Sequence, residues 1–253
     1  MYKMILTDLD NTLLKSDGSI SEKTLDILQK CRQQGMLLAI ATARYWIGAE
    51  KYIQQLKPDY EITTDGTLIH SNGACVYSCS FSLEKTNEII QEILKHAPEN
   101  EITVACGKTV LWNSKYIAES RRLNKAQYYE YDVPLKNAAN KIASEFPSKE
   151  TASAIAAKTD CKLQCYRGEN IYAFLPHDAG KIVAINEMVN ISNIALEEIV
   201  AFGDDTSDIE MLKICGKGIA VANAIDEVLN IADDATLTND EDGVADWLER
   251  NCL

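Results

Sequence analysis

The sequence predicts an α/β protein, a doubly wound parallel sheet interrupted by an α+β module. Three observations carry this. Residues 36–41 and 199–202 are continuous apolar runs of strand length, and unbroken runs mark strands buried on both faces, as in a parallel sheet. Residues 3–9, the helical pattern after them and residues 36–41 make a strand–helix–strand unit, whose crossover is right-handed. Between residues 82 and 176 the texture changes to helices with alternating hairpins, the pattern of an α+β unit.

Each element has its own signal. Residues 3–9 form the first apolar strand, followed by a polar turn at 15–19. Ser19, with Glu22 three residues on, has the form of a capping box. The helix it opens runs to about Gln34 and stops at Gly35. After the strand at 36–41, a helix fits 45–56 and Pro58 ends it. Residues 61–77 read as strands joined by turns at Asp65-Gly66 and Asn72-Gly73. In the middle, 83–97 is helical, and 101–106 with 109–113 form a hairpin over Gly107-Lys108. A helix is expected over 114–125, a strand over 140–146 and a helix over 148–159. A second hairpin joins 162–167 to 171–175. The α/β rhythm then returns, with a helix at 179–190, the strand 199–202, a helix at 206–215, a strand at 218–221, and helices at 224–231 and 244–250. Residues 1–81 and 177–253 are expected to share one sheet, with 82–176 inserted between them.

Composition narrows the function. The chain has 253 residues, 46% hydrophobic and 25% charged, with 12 Gly and 5 Pro, ordinary for a globular protein. Its net charge of -13 repels nucleic-acid backbones and anionic membrane surfaces. No apolar run reaches the roughly 18 residues of a membrane helix, and no signal-peptide pattern opens the chain. A cytoplasmic protein is expected, in which the eight Cys are reduced thiols. The pairs Cys75/Cys79 and Cys161/Cys165 lack the His or further Cys that zinc would want, so core or surface thiols are the simpler account.

Chemistry concentrates at four places, each at a predicted strand end or helix start, where open α/β sheets bind ligands. Asp8 and Asp10 follow the first strand, so one carboxylate can meet a substrate in line while the other reaches its leaving group; a polar turn with Asx hydrogen bonds is the plain alternative. Thr42-Ala43-Arg44 follows the second strand and offers a hydroxyl and backbone N–H groups to an anion. Lys181 opens a helix, where the dipole disfavours a cation, although a solvated surface lysine is the plain reading. Asp204, Asp205 and Asp208 follow the strand 199–202, and three carboxylates so close suit a hard cation such as Mg²⁺; an acidic helix N-terminus is the alternative.

Together these residues resemble the haloacid dehalogenase superfamily of phosphohydrolases. Asp8, Asp10 and Thr12 match its D-x-D-x-[TV] motif, Thr42 the second motif, Lys181 the third, and Asp204 with Asp208 the fourth. The run 203–212 is similar to the G-D-x-x-N-D-I-x-M-L of the Cof-type subfamily. Downstream, 220–224 is similar to its A-M-G-N-A and 239–245 to its N-D-E-D-G-V-A. The chain departs from the pattern at Asn11 (usually Gly), Ala43 (Gly), Asp65 (Asn), Ser207 (Asn) and Ala222 (Gly).

The resemblance implies a Rossmann-like core with an α+β cap over about 82–176, and a phosphatase acting on a small phosphomonoester, such as a sugar phosphate or a phosphorylated cofactor. Asp8 is then the nucleophile and Asp10 the acid and base. Mg²⁺ lies among Asp8, the Asp10 carbonyl and Asp204, supported by Asp205 and Asp208. Thr42, Ala43, Lys181 and Ser207 hold the phosphoryl group. Candidate cap contacts are Arg121, Arg122, Tyr166 and Arg167, each with a solvated-surface reading beside it. A monomer or homodimer is expected. A sugar phosphomutase on the same core and a noncatalytic phosphate-ligand-binding protein are the rivals. A flavodoxin-like nucleotide binder is disfavoured, because Asp8 and Asp10 would repel a phosphate.

Overall fold

The computed structural model describes residues 2–120 and 123–253. Among the described residues the strands form two sheets. The larger has eight strands: β1 (Met4–Thr7), β2 (Leu37–Ala41), β3 (Tyr60–Thr63), β4 (Leu68–Ser71) and β5 (Ala74–Ser78) from the first part of the chain, and three from the last part. The second sheet has six strands: β6 (Ile102–Cys106), β7 (Thr109–Trp112), β8 (Gln127–Tyr128), β9 (Lys141–Glu145), β10 (Lys162–Cys165) and β11 (Ile171–Leu175). The larger sheet is completed by β12 (Ile199–Gly203), β13 (Lys217–Ala220) and β14 (Asp234–Ala235).

The larger sheet runs in the order β14-β13-β12-β1-β2-β3-β4-β5. Its pairings are parallel from β14 to β3 and antiparallel from β3 to β5. From β1 the chain winds outward through β2 and β3, then returns to the other side of β1 as β12. The order therefore reverses between β1 and β12, which places a crevice at their carboxyl ends. Every residue of β1 and β12 is buried, as their unbroken apolar runs require.

Helices α1 (Glu22–Gln33), α2 (Trp46–Leu56), α5 (Lys181–Ser192), α6 (Ile209–Ile214), α7 (Asp226–Ile231) and α8 (Gly243–Cys252) flank this sheet, whereas α3 (Leu83–His96) and α4 (Lys149–Lys158) pack with the second. Trp247 of α8 meets Phe202 of β12 edge-on at 5.6 Å, under the strand that carries the acidic motif. Among the described residues there are two hydrophobic cores: one drawn from residues 4–69 and 184–248, the other from residues 81–174. Among the described residues, no helix is long and apolar enough to cross a membrane.

Three expectations need correction. Ser19 does not cap the first helix. Its N–H is held by Asp17 within the preceding turn, and Ser21 caps instead, its Oγ accepting from the Thr24 N–H at 3.0 Å. The helix expected over 114–125 is reduced, among the described residues, to one turn at Ile117–Glu119. Ser114 Oγ accepts from the Tyr116 N–H and Ser120 Oγ from the Leu123 N–H, local bonds that compete with a helical ladder. Arg121 and Arg122 lie outside the described residues. The helix expected at 206–215 is a 3₁₀ turn, Thr206–Asp208, followed by α6.

Candidate active site

The loops leaving the carboxyl ends of β1, β2 and β12 build the crevice. The Asp8 N–H donates to the Phe202 carbonyl at 3.1 Å, so the first acidic motif begins against the strand that delivers the second. The chain then makes an irregular turn over Leu9–Leu13, with Asn11 at φ +59°. Asparagine tolerates this left-handed conformation, which explains how it can stand where the resemblance has glycine. The two downstream motifs clamp this turn. The Asn223 amide donates to the Asn11 carbonyl at 2.7 Å, the Asn239 amide to the Leu14 carbonyl at 2.9 Å, and Asn223 in turn accepts from the Asn239 N–H.

At the centre, the Lys181 Nζ lies 2.7 Å from Asp8 Oδ1 and 2.7 Å from Asp208 Oδ1. All three side chains are buried. Lys181 opens α5, and its charge meets two carboxylates, which offset its electrostatic misfit. Gly66 fixes where α5 starts. It takes φ +79°, and a Cβ on it would lie 2.4 Å from the Gly180 backbone, so only glycine lets this turn touch the residue before Lys181. Gly203 plays a similar part for Asp208: its own Cβ would lie 2.5 Å from Asp208 Cβ. Asp208 therefore folds back against the strand end, where its Oδ2 accepts from the N–H groups of Asp204 (3.1 Å) and Asp205 (3.2 Å).

Asp204 is the acceptor of the Thr12 hydroxyl through Oδ1, at 2.9 Å. Its Oδ2 is buried and has no hydrogen-bond partner. Carboxylate oxygens of Asp8, Asp204 and Asp208 lie within 4.8 Å of one another. Both Asp208 oxygens are already engaged, so Asp8 and Asp204 have the more available donors. A buried oxygen without a hydrogen-bond partner, hard donors, and three clustered carboxylates with one ammonium on two of them fit a divalent cation.

The electrostatics agree. Burial raises the Asp8 carboxyl well above its usual range; Lys181 opposes this, while Asp208 and Asp204 add to it. Burial and the neighbouring Asp208 push Asp204 up to about 7. Burial disfavours the Lys181 ammonium, but the Asp208 and Asp8 carboxylates outweigh that and hold it above its ordinary value.

The eight residues expected to act, Asp8, Asp10, Thr42, Ala43, Lys181, Asp204, Ser207 and Asp208, all line one cavity of about 860 Å³ between the two sheets. They do not all converge on one point. The Asp10 carboxylate turns to Arg44, whose Nε donates to Oδ2 at 2.7 Å and whose Nη2 donates to Oδ1. Thr42 is buried, its Oγ1 accepting from the Arg44 N–H at 3.2 Å. Ser207 is exposed at the cavity edge.

Sequence reasoning assigned no role to Arg44, although it adjoins Thr42 in the second motif. It also missed Lys141, a buried lysine at the start of β9, where the residues before the strand carry no clear pattern. Tyr166 and Arg167, weighed against a surface reading, both line the cavity. Tyr166 donates to Asp65 Oδ2 at 2.7 Å, and Arg167 lies 3.8 Å from Asp204 and 3.6 Å from Asp205.

Comparison with known proteins is consistent across sequence and structure. The haloacid dehalogenase-like hydrolase family matches residues 5–248. A 5-amino-6-(5-phospho-D-ribitylamino)uracil phosphatase of Bacillus subtilis (strain 168), YitU, is 26% identical, the match covering 97% of this chain and 96% of that protein. A second phosphatase of that name from the same organism, YwtE, is 24% identical over 98% of this chain and 97% of its own length. A haloacid dehalogenase-like hydrolase from Bacteroides thetaiotaomicron superposes with a TM-score of 0.85 at 24% identity, covering 99% of both chains. A sugar phosphatase of subclass IIB has the same fold, with a TM-score of 0.84 at 19% identity over 98% of both chains.

Proposed function

The chain belongs to the haloacid dehalogenase-like hydrolases, it hydrolyses phosphoric monoesters of small molecules, and from that premise we propose an Mg²⁺-dependent reaction through an aspartyl-phosphate on Asp8. The substrate class we propose is a sugar phosphate or a phosphorylated cofactor. One observation carries the reading: a single buried ammonium bridges Asp8 and Asp208 at 2.7 Å, beside an Asp204 oxygen with no hydrogen-bond partner. That is an anionic nucleophile held next to a place for positive charge, which phosphoryl transfer needs.

In this mechanism Asp8 attacks the phosphorus in line, and the bond to the leaving oxygen breaks. Asp10 gives that oxygen a proton, then accepts one from the water that attacks the same phosphorus and releases inorganic phosphate and free Asp8. Arg44 fixes the direction of the Asp10 carboxylate. Lys181, Thr42, the Ala43 N–H and Ser207 receive the phosphoryl oxygens and offset the charge that spreads over them. Asp8, Asp204 and the Asp10 carbonyl would hold Mg²⁺, with Asp208 positioning its neighbours; when bound, the ion neutralises charge on the phosphoryl group. Residues 82–176 act as a cap over a core of 1–81 and 177–253, and close the cavity against water.

A panel of phosphomonoesters tests this. Inorganic phosphate is expected from at least one member, lost in EDTA and restored by Mg²⁺. The panel includes 5-amino-6-(5-phospho-D-ribitylamino)uracil, after the relatives' names, since a cavity of about 860 Å³ admits so large a leaving group. A phosphoryl group moved to another position of the sugar, with no free phosphate, would favour the mutase instead.

Metal removal also has a stability signature. Asp204 takes up its proton at about 7 in the folded chain, against about 3.9 in an unfolded one. Between those values the folded chain holds the extra proton, so this group's contribution to stability falls as pH rises and is lost above about 7. In EDTA the melting temperature is expected to drop by about 5 °C from pH 5 to pH 8. Saturating Mg²⁺, or Asp204→Asn, flattens that slope, and what Asp204→Asn leaves belongs to Asp8, whose proton affinity burial also raises. An equal slope in all three samples would sink this account of Asp204.

A further inference from the structure

Lys141, the first residue of β9, reaches out of the six-stranded sheet into the loops of the larger one. Its Nζ lies 2.6 Å from Asp65 Oδ2 and donates to the Ala43 carbonyl at 3.2 Å. The ammonium also sits over two rings, 4.5 Å from the centroid of Tyr45 and 5.0 Å from that of Tyr166. The Tyr166 hydroxyl donates to the same Asp65 Oδ2, at 2.7 Å. Lys141 is 4% exposed and Asp65 is 7% exposed. Burial works against the Lys141 charge, but Asp65, with Tyr45 and Glu169, more than compensates.

The two acceptors of this ammonium belong to loops that build the phosphoryl site. Ala43 lies between Thr42 and Arg44, the residue that grips Asp10. Asp65 lies beside Gly66, which packs on Gly180 next to Lys181. The loops are joined to each other, because the Thr64 N–H donates to the Arg44 carbonyl at 2.7 Å. Lys141 straddles both from the opposite sheet, and Tyr45 and Thr103 add a second bridge at 2.7 Å between their hydroxyls.

We propose that Lys141 is a positioning residue for phosphoryl transfer: by tying the Ala43 carbonyl to the Asp65 carboxylate, it sets the loop that receives the phosphoryl oxygens and aims Arg44 at Asp10. This rests on the reading of Asp8, Thr42 and Lys181 given above. The cradle is then complete only when the six-stranded sheet lies against the larger one, which couples closure of the cavity to chemistry. Asp65, where the resemblance has Asn, supplies the charge that a buried lysine needs. Its φ of +57° is one that Asp, like Asn, tolerates.

The test uses the full chain with Mg²⁺ and p-nitrophenyl phosphate. Wild-type turnover that Asp8→Asn abolishes, of p-nitrophenyl phosphate or of the best substrate in the panel, secures the underlying reading; with no turnover of any of them the reading itself fails, whatever Lys141 does. With that turnover, Lys141→Met is expected to lower kcat about 100-fold, because the loop is free to shift. Inhibition by inorganic phosphate, a probe of the cradle alone, weakens about tenfold. The double variant Lys141→Met/Asp65→Asn removes the stranded Asp65 charge, and kcat stays low. Tyr166→Phe, which deletes one hydrogen bond and keeps the ring, lowers kcat by about threefold to tenfold and tests the cluster even where Lys141→Met does not fold. The proposal is overturned by a folded Lys141→Met with wild-type kcat and phosphate inhibition, by recovery of kcat in the double variant, or by an unchanged Tyr166→Phe.

Discussion

Asp8→Asn is expected to lower phosphate release at least about 10⁴-fold while leaving the fold intact. The amide keeps the size and shape of the carboxylate but is not a nucleophile. Its effect on stability should run the other way. Asp8 is buried, and that burial, with repulsion from Asp208 and Asp204, raises its proton affinity. Neutralising it relieves that cost, and Lys181 keeps Asp208 as its charged partner, so the metal-free variant should melt no lower than wild type. Dead activity with undiminished melting separates a lost nucleophile from a damaged protein. Activity within tenfold of wild type would contradict the assignment of Asp8.

Lys181→Met is expected to cost about 10³-fold in kcat/KM and, unlike Asp8→Asn, to lower stability. It removes two charge-assisted hydrogen bonds and leaves two buried carboxylates facing each other. Breaking such a pair costs about 3–5 kcal/mol when the remaining charge cannot reach water. The residual activity should also move in pH. Lys181 lowers the proton affinity of Asp8, so its removal raises that affinity further above the usual carboxylate range. Asp8 must be ionised to attack, hence the acidic limb of the pH–rate profile shifts to higher pH. Lys181→Arg should not rescue, because the guanidinium is bulkier and planar, and the buried site that holds the ammonium 2.7 Å from both oxygens would have to shift to admit it. A profile with an unmoved acidic limb would show that Lys181 does not tune Asp8.

Much of the fold and the site is legible in the residues because it depends on local pattern. The strands around the crevice are unbroken apolar runs, and the doubly wound order places the residues after them at one edge. Asp8, Thr42, Lys181 and Asp204 can thus be brought to one cavity from their positions at strand ends and a helix start. What is illegible depends on tertiary direction. Nothing in the first motif says that Asp10 turns to Arg44 rather than into the cluster with Asp8. Nor does the pattern around Lys141 reveal that its charge crosses to Asp65 and Ala43, since a lysine at the start of a strand reads as solvated. The segment 114–125 misleads for a different reason: its serines cap backbone N–H groups locally, and helix propensity loses to those bonds. The departures at Asn11 and Asp65 are conservative at the backbone level, because both positions need a left-handed residue.

The central claim is that the phosphoryl group passes through Asp8. Acid quenching of the Mg²⁺-loaded chain during turnover, with mass spectrometry of its peptides, tests it most directly. The account predicts a phosphoryl adduct on the peptide that contains Asp8, absent without substrate and absent from Asp8→Asn. An adduct on any other residue, or turnover at the wild-type rate by Asp8→Asn, would contradict it.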